Sequence, residues 1–115
     1  MVIILLFKRF RSDFLGARWD GEVVREMMDE AFANKHKVTL DFKKIKLISH
    51  SFADEIVGIY ARAFGTDFIK QNIEVVNANK DVKFMLNAAI RLSIKYGQKL
   101  TTSKEVSDGN NNQIE

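Results

Sequence analysis

The sequence predicts an α/β fold: a small, mainly parallel sheet with helices packed on it, in the order βαβαβα. Three observations predict it. Short apolar, β-branched runs recur at residues 2–7, 38–42 and 73–76. Each is followed by a segment whose apolar residues fall at 3.6-residue spacing. Strands that alternate with helices in this way pair in parallel, because parallel neighbours need a crossover between them. The chain has 115 residues, 46% hydrophobic and 29% charged, which fits one domain with a real core and excludes a fibre or a disordered chain.

The run Val2-Ile3-Ile4-Leu5-Leu6-Phe7 reads as a strand covered on both faces. A basic, glycine-containing loop is expected over residues 8–19. Asp20 is placed to cap the first helix, with Glu22 at the positive end of its dipole. Val23, Val24, Met27, Met28, Ala31 and Phe32 form its apolar stripe, and Asn34 ends it. Residues 38–42 alternate apolar and polar, the pattern of a strand with one better-buried face. After a short stretch, 45–48, the second helix is expected to begin at Ser51, with Asp54 completing a capping box. Phe52, Ala53, Ile56, Val57, Tyr60, Ala63 and Phe64 then line its buried side, and Gly65 takes the left-handed position past its end. Ile73, Val75 and Val76 make the third strand. Asn79 caps a third helix that turns Val82, Met85, Leu86, Ala89, Ile90 and Ile94 inward. The domain is thus expected over residues 1–96, followed by a polar, flexible tail over 97–115.

Cysteine is absent, which excludes disulfides, thiolate metal sites and thiol nucleophiles. The opening apolar run is far short of the ~20 residues of a membrane helix. Its positive charges (Lys8, Arg9, Arg11) follow it, the reverse of a secretory signal, so a cytoplasmic protein with no membrane partner is expected. The charge balance is 18 basic to 15 acidic residues, a net +3, too mild to name a partner. Lys43, Lys44 and Lys46 cluster, but Glu22, Glu26, Asp29 and Glu30 dilute the field and no aromatic platform accompanies them. No nucleic acid is expected.

No catalytic set is legible either. His36 and His50 are the only histidines, and neither belongs to a paired ligand motif, so no metal is expected. The glycines build neither a Walker-type nor a dinucleotide loop. His50 and Ser51 are adjacent, yet neighbours at a helix start point different ways and no third group orients the imidazole. No cofactor is called for, and the chain reads as a non-enzyme. What remains is the corner at residues 49–55. A hydroxyl at a helix start meets unpaired N–H groups and a partial positive charge, which favour a phosphate. Asp54 and Glu55 in the same turn would oppose it. Equally, Ser51 fits as a plain cap worth about 1 kcal/mol.

The segment from Val38-Thr-Leu-Asp-Phe through Ile-Ser-His-Ser-Phe-Ala-Asp-Glu-Ile56 resembles a STAS domain, the anti-sigma-factor antagonist fold. More closely it resembles the STAS-like family of bacterial domains of unknown function. The likeness extends to Gly16-Ala17-Arg18 upstream and Val75-Val76-Asn77 downstream, covering roughly residues 2–92. The resemblance implies a regulatory module that docks a protein partner of the histidine-kinase-like ATPase fold, with Ser51 as the phosphorylated residue. Ser49 stands where the anti-sigma-factor antagonists have Asp, and Phe52 where they have Gly. The expected partner contacts are Arg18, Ser49, His50, Asp54 and Glu55. Two other functions stay open: a self-associating structural domain with Tyr60 and Phe68 in its contact patch and Ser51 only a cap, and a small-molecule binder at the same corner.

Overall fold

Three parallel strands form the main sheet: β1 (Val2–Leu5), β3 (Val38–Asp41) and β5 (Ile73–Val76), in the order β1-β3-β5. The computed structural model describes the backbone of residues 1–106 and the side chains of residues 1–96. A second parallel pair, β2 (Phe14–Leu15) with β4 (Leu47–Ile48), stands apart from the main sheet. The helices are α1 (Leu6–Phe10), α2 (Arg18–Ala33), α3 (His50–Ala53), α4 (Ile59–Phe64), α5 (Thr66–Asn72) and α6 (Lys80–Val106). Between α3 and α4 the chain makes a π-helical turn, Asp54–Gly58. The small parallel sheet with packed helices is the architecture expected.

Register explains which strand residues are buried. Ile4, Leu40 and Val75 stand side by side on the face toward the helices, and Ile3, Thr39 and Glu74 on the other. Ile4 and Leu40 are buried, whereas Ile3 is 59% exposed and Leu5 is exposed too. The first run is therefore an edge strand covered on one face, not a central strand covered on both. Its last two residues, Leu6 and Phe7, are helix. The loop expected over 8–19 instead holds most of α1, the strand β2 and the start of α2.

Helix α2 presents the stripe expected, with Val24, Met28 and Ala31 buried. It begins at Arg18 without a side-chain cap, so Asp20 lies within the first turn rather than before it. Asn79 does cap the last helix: its Oδ1 accepts from Val82 N–H at 2.8 Å. Gly65 does end α4 at a positive φ, 88°, but its ψ of 173° is extended and not that of the left-handed helical position expected. Helix α6 continues to Val106, past the start expected for the tail at Gly97, and the rest of that expectation, 107–115, lies outside the described residues.

The π turn is a further feature that periodicity did not predict. Ile59 N–H donates to Asp54 C=O, a five-residue step where an α-helix takes four. One extra residue in a turn rotates all that follows by about 100°. Ala61 is consequently buried, while Ala63 and Phe64, expected inside, are exposed. The turn packs between α2 and α6, so all of 52–58 is buried. Tyr60 is buried as well, edge-on to Phe32 and donating its hydroxyl to Asp29 at 2.5 Å. Desolvation, with Asp29 as acceptor, raises the phenol far above its ordinary range. Phe68 packs half-buried against the same ring. Tyr60 belongs to the interior, while Phe68 is partly open beside the exposed Phe64.

Candidate functional site

The corner is built by two helix starts brought side by side. Strands β2 and β4 run parallel, pairing Phe14 with Leu47 and Leu15 with Ile48, so the segments that follow them, into α2 and α3, leave from the same end. Ser49 ties them together. Its N–H donates to Leu15 C=O at 3.0 Å and its hydroxyl donates to Gly16 C=O at 2.9 Å. The same hydroxyl accepts from Phe52 N–H at 3.0 Å. Ser49 is thus the cap of α3, a role the spacing assigned to Ser51.

Removing that hydroxyl costs a cap and an inter-segment hydrogen bond. Ser49→Ala is expected to destabilise the fold by about 1–2 kcal/mol. Ser51→Ala is expected to stay within about 0.5 kcal/mol of the parent. Urea denaturation of the two variants side by side checks which serine is the cap.

Ser51 sits half-buried in the first turn of α3, and His50 is exposed as its first residue. Asp54 and Glu55 follow three and four residues on from Ser51, the spacing of helical neighbours. They were expected at the surface. Asp54 is only 8% exposed and Glu55 only 4%, and three arginines hold them. Arg18 Nη1 donates to Glu55 Oε2 at 2.5 Å and to Asp54 Oδ2 at 3.2 Å. Arg25 Nη1 donates to Glu55 Oε1. Arg62 Nη1 donates to Asp54 Oδ1 at 2.7 Å and to the buried Ser93 hydroxyl at 2.8 Å.

The electrostatics follow from this enclosure. Burial alone pushes the Asp54 carboxyl upward, but the hydrogen bonds from Arg62 and Arg18 together outweigh it and hold it below its ordinary value. Arg18 is correspondingly raised, by its hydrogen bond to Glu55 first and to Asp54 second. Asp54 is therefore ionised, and both carboxylates are matched by arginine, so they do not oppose an anion at Ser51. Arg18 keeps nearly half of its side chain in solvent, so the open charge of the corner is positive. Of the clustered lysines, Lys44 lies over the Phe7 ring and Lys46 pairs with Asp13.

Around this charge lie large exposed apolar side chains that sequence reasoning missed. Trp19, next to Arg18 in the first turn of α2, is 71% exposed. Phe14 and Leu47, paired across β2 and β4, are exposed as well. Hydrophobic periodicity could not find them, since each looks like a core residue in sequence. His36 is exposed on the segment after α2, and the described residues hold no cluster of His, Asp or Glu suited to a metal ion.

A family model described as a STAS-like domain of unknown function (DUF4325) matches residues 20–83. The chain belongs to this family. The match runs from the first turn of α2 to the first turn of α6, and so takes in α3, the π turn and the ion pairs of Arg25 and Arg62, while Arg18 and Trp19 stand just before it. Comparison with curated proteins and with solved structures gives no match. No helix among the described residues of this STAS-like domain is long and apolar enough to cross a membrane.

Proposed function

We propose that this STAS-like domain is a non-enzymatic regulatory module that docks a protein partner on the corner where α2 and α3 begin. The observation that carries the reading is Trp19, standing in solvent at 71% exposure beside a half-exposed arginine. Trp and Arg are the residue types that dominate binding energy at interfaces. Phe14 and Leu47 supply apolar area alongside them.

The partner in this reading is an ATPase of the histidine-kinase-like fold, and the switch is phosphorylation of Ser51. A phosphate there adds nearly two negative charges. Asp54 and Glu55, already matched by arginines, do not repel it. Arg18, which bonds Asp54 and Glu55 three and four residues on from Ser51, is the cation this reading assigns to the phosphate, and a phosphate that recruits it also takes it from the partner. The modified corner then offers an anion where the unmodified one offered a cation.

The test is titration of the domain with such an ATPase from the same cell. Trp19→Ala is expected to weaken binding about thirtyfold, the equivalent of ~2 kcal/mol, with no change in melting temperature. Ser51→Asp is expected to weaken it comparably, and incubation with ATP to add one phosphate by intact mass. Unchanged affinity in both variants overturns the docking surface. An unmodified mass together with parental binding by Ser51→Asp overturns the switch alone.

A further inference from the structure

The edge strand β5 opens onto a cleft far in the sequence from the corner. Val75 shares its register with Leu40 and Ile4, both buried, yet is itself 37% exposed. The reason is that α5 and α6 stand apart over it. The cleft between them has a volume of about 460 Å³, within the range of small-ligand sites, roughly 300–1,000 Å³. Val57, Ile69, Ile73, Val75, Leu86 and Ile90 make its apolar walls.

Two lysines frame it. Lys70 comes from α5 and Lys83 from α6. No Asp or Glu lines the cleft, and neither lysine makes an ion pair among the described residues. An apolar trough framed by unopposed positive charge is complementary to one chemistry, a hydrocarbon tail ending in an anion. A partner helix fits less well, because α5 is seven residues long, a wall of only about two turns.

We propose that this cleft binds a single-chain amphiphile with an anionic head group, of the medium-chain fatty carboxylate class. The tail lies along Ile69, Ile73, Val75 and Ile90, and the carboxylate meets Lys70 and Lys83.

The experiment is titration of the full chain, labelled with ¹⁵N, with decanoate kept below micelle-forming concentrations. Saturable amide shifts centred on α5, β5 and the first half of α6 are expected. Lys70→Glu with Lys83→Glu is expected to weaken decanoate roughly three- to thirtyfold, from two partly screened charge pairs, while uncharged decanol binds both proteins alike. Val75→Trp, which fills the trough, is expected to abolish the shifts, with its melting temperature recorded to show that it folds. Shifts that never saturate, shifts centred elsewhere, or equal decanoate affinity in the charge-reversed protein each overturn the proposal. So does an acidic amphipathic peptide that occupies the cleft where decanoate does not.

Discussion

Replacing Arg18 and Arg25 together by alanine is expected to cost about 3–5 kcal/mol of stability, the scale for stripping a buried charge of its partners. Glu55 lies beneath the surface with its two oxygens taken by these two guanidinium groups. With one arginine removed, the other still compensates it, so each single variant is expected to lose only about 1 kcal/mol. The double variant leaves a desolvated carboxylate with no cation on it. The effects are therefore far from additive. Adding Glu55→Gln to the double variant is expected to recover much of the loss, because the uncompensated charge has gone. Urea denaturation at neutral pH measures all four proteins, and additive single losses, or no rescue, would contradict the account. Acid reports the same cluster from its other side. Asp54 is held below its ordinary value in the fold, so its contribution is fully present above the unfolded value near 3.8. It is lost as the pH falls through the lower folded value. In Arg62→Met the strongest opposing hydrogen bond disappears and burial dominates. The acid-unfolding midpoint of that variant is expected to move to higher pH than the parent's, read by circular dichroism.

Gly21→Ala is the second large effect, and its cause is space. A Cβ built on Gly21 falls 2.7 Å from Glu55 Cβ and 3.2 Å from the Phe52 carbonyl oxygen. Neither atom is the loose end of a side chain. Helix α2 would have to move off the π turn, and overpacking of this kind costs about 1–3 kcal/mol. That outweighs the ~1 kcal/mol by which alanine is the better helix former. A net loss of up to about 2 kcal/mol is expected by thermal melting, accompanied by weaker protection of Glu55 from solvent. Gly58→Ala offers the internal comparison. Its added carbon meets the Asp54 carboxylate and the Ser93 hydroxyl, side-chain ends that can swing aside at the expense of their hydrogen bonds with Arg62. A stabilised Gly21→Ala protein would show that α2 and the turn are less closely apposed than described.

The main elements were legible because each carries its own period. Val24, Met28 and Ala31 announce α2, Asn79 announces α6, and Gly65 announces the end of α4. The strand run 2–7 misled because an edge strand can be as apolar as a central one when its open face is apolar too, as Ile3 and Leu5 are. The corner was legible in place but not in role. Ser-x-Ser offers two caps two residues apart, and only the carbonyl of Gly16, distant in sequence, selects Ser49. Asp54 and Glu55 were misplaced for a related reason. A 3.6-residue wheel sets them on the polar side, whereas the π turn lies wedged between two helices and has no such side. Their partners Arg18, Arg25 and Arg62 lie up to 37 positions away, and charge alone does not say which arginine returns to which acid.

The pairing order of the strands has a consequence for how the chain reaches this state. Each strand hydrogen-bonds to one two further along: β1 to β3, β2 to β4 and β3 to β5. Among the described residues no hairpin exists to nucleate either ribbon, and every ladder waits for a long loop to close first. During synthesis the opening strand must remain unmated until some forty more residues have followed it, so it is the helices, above all α2, that can gain structure early and hold its place.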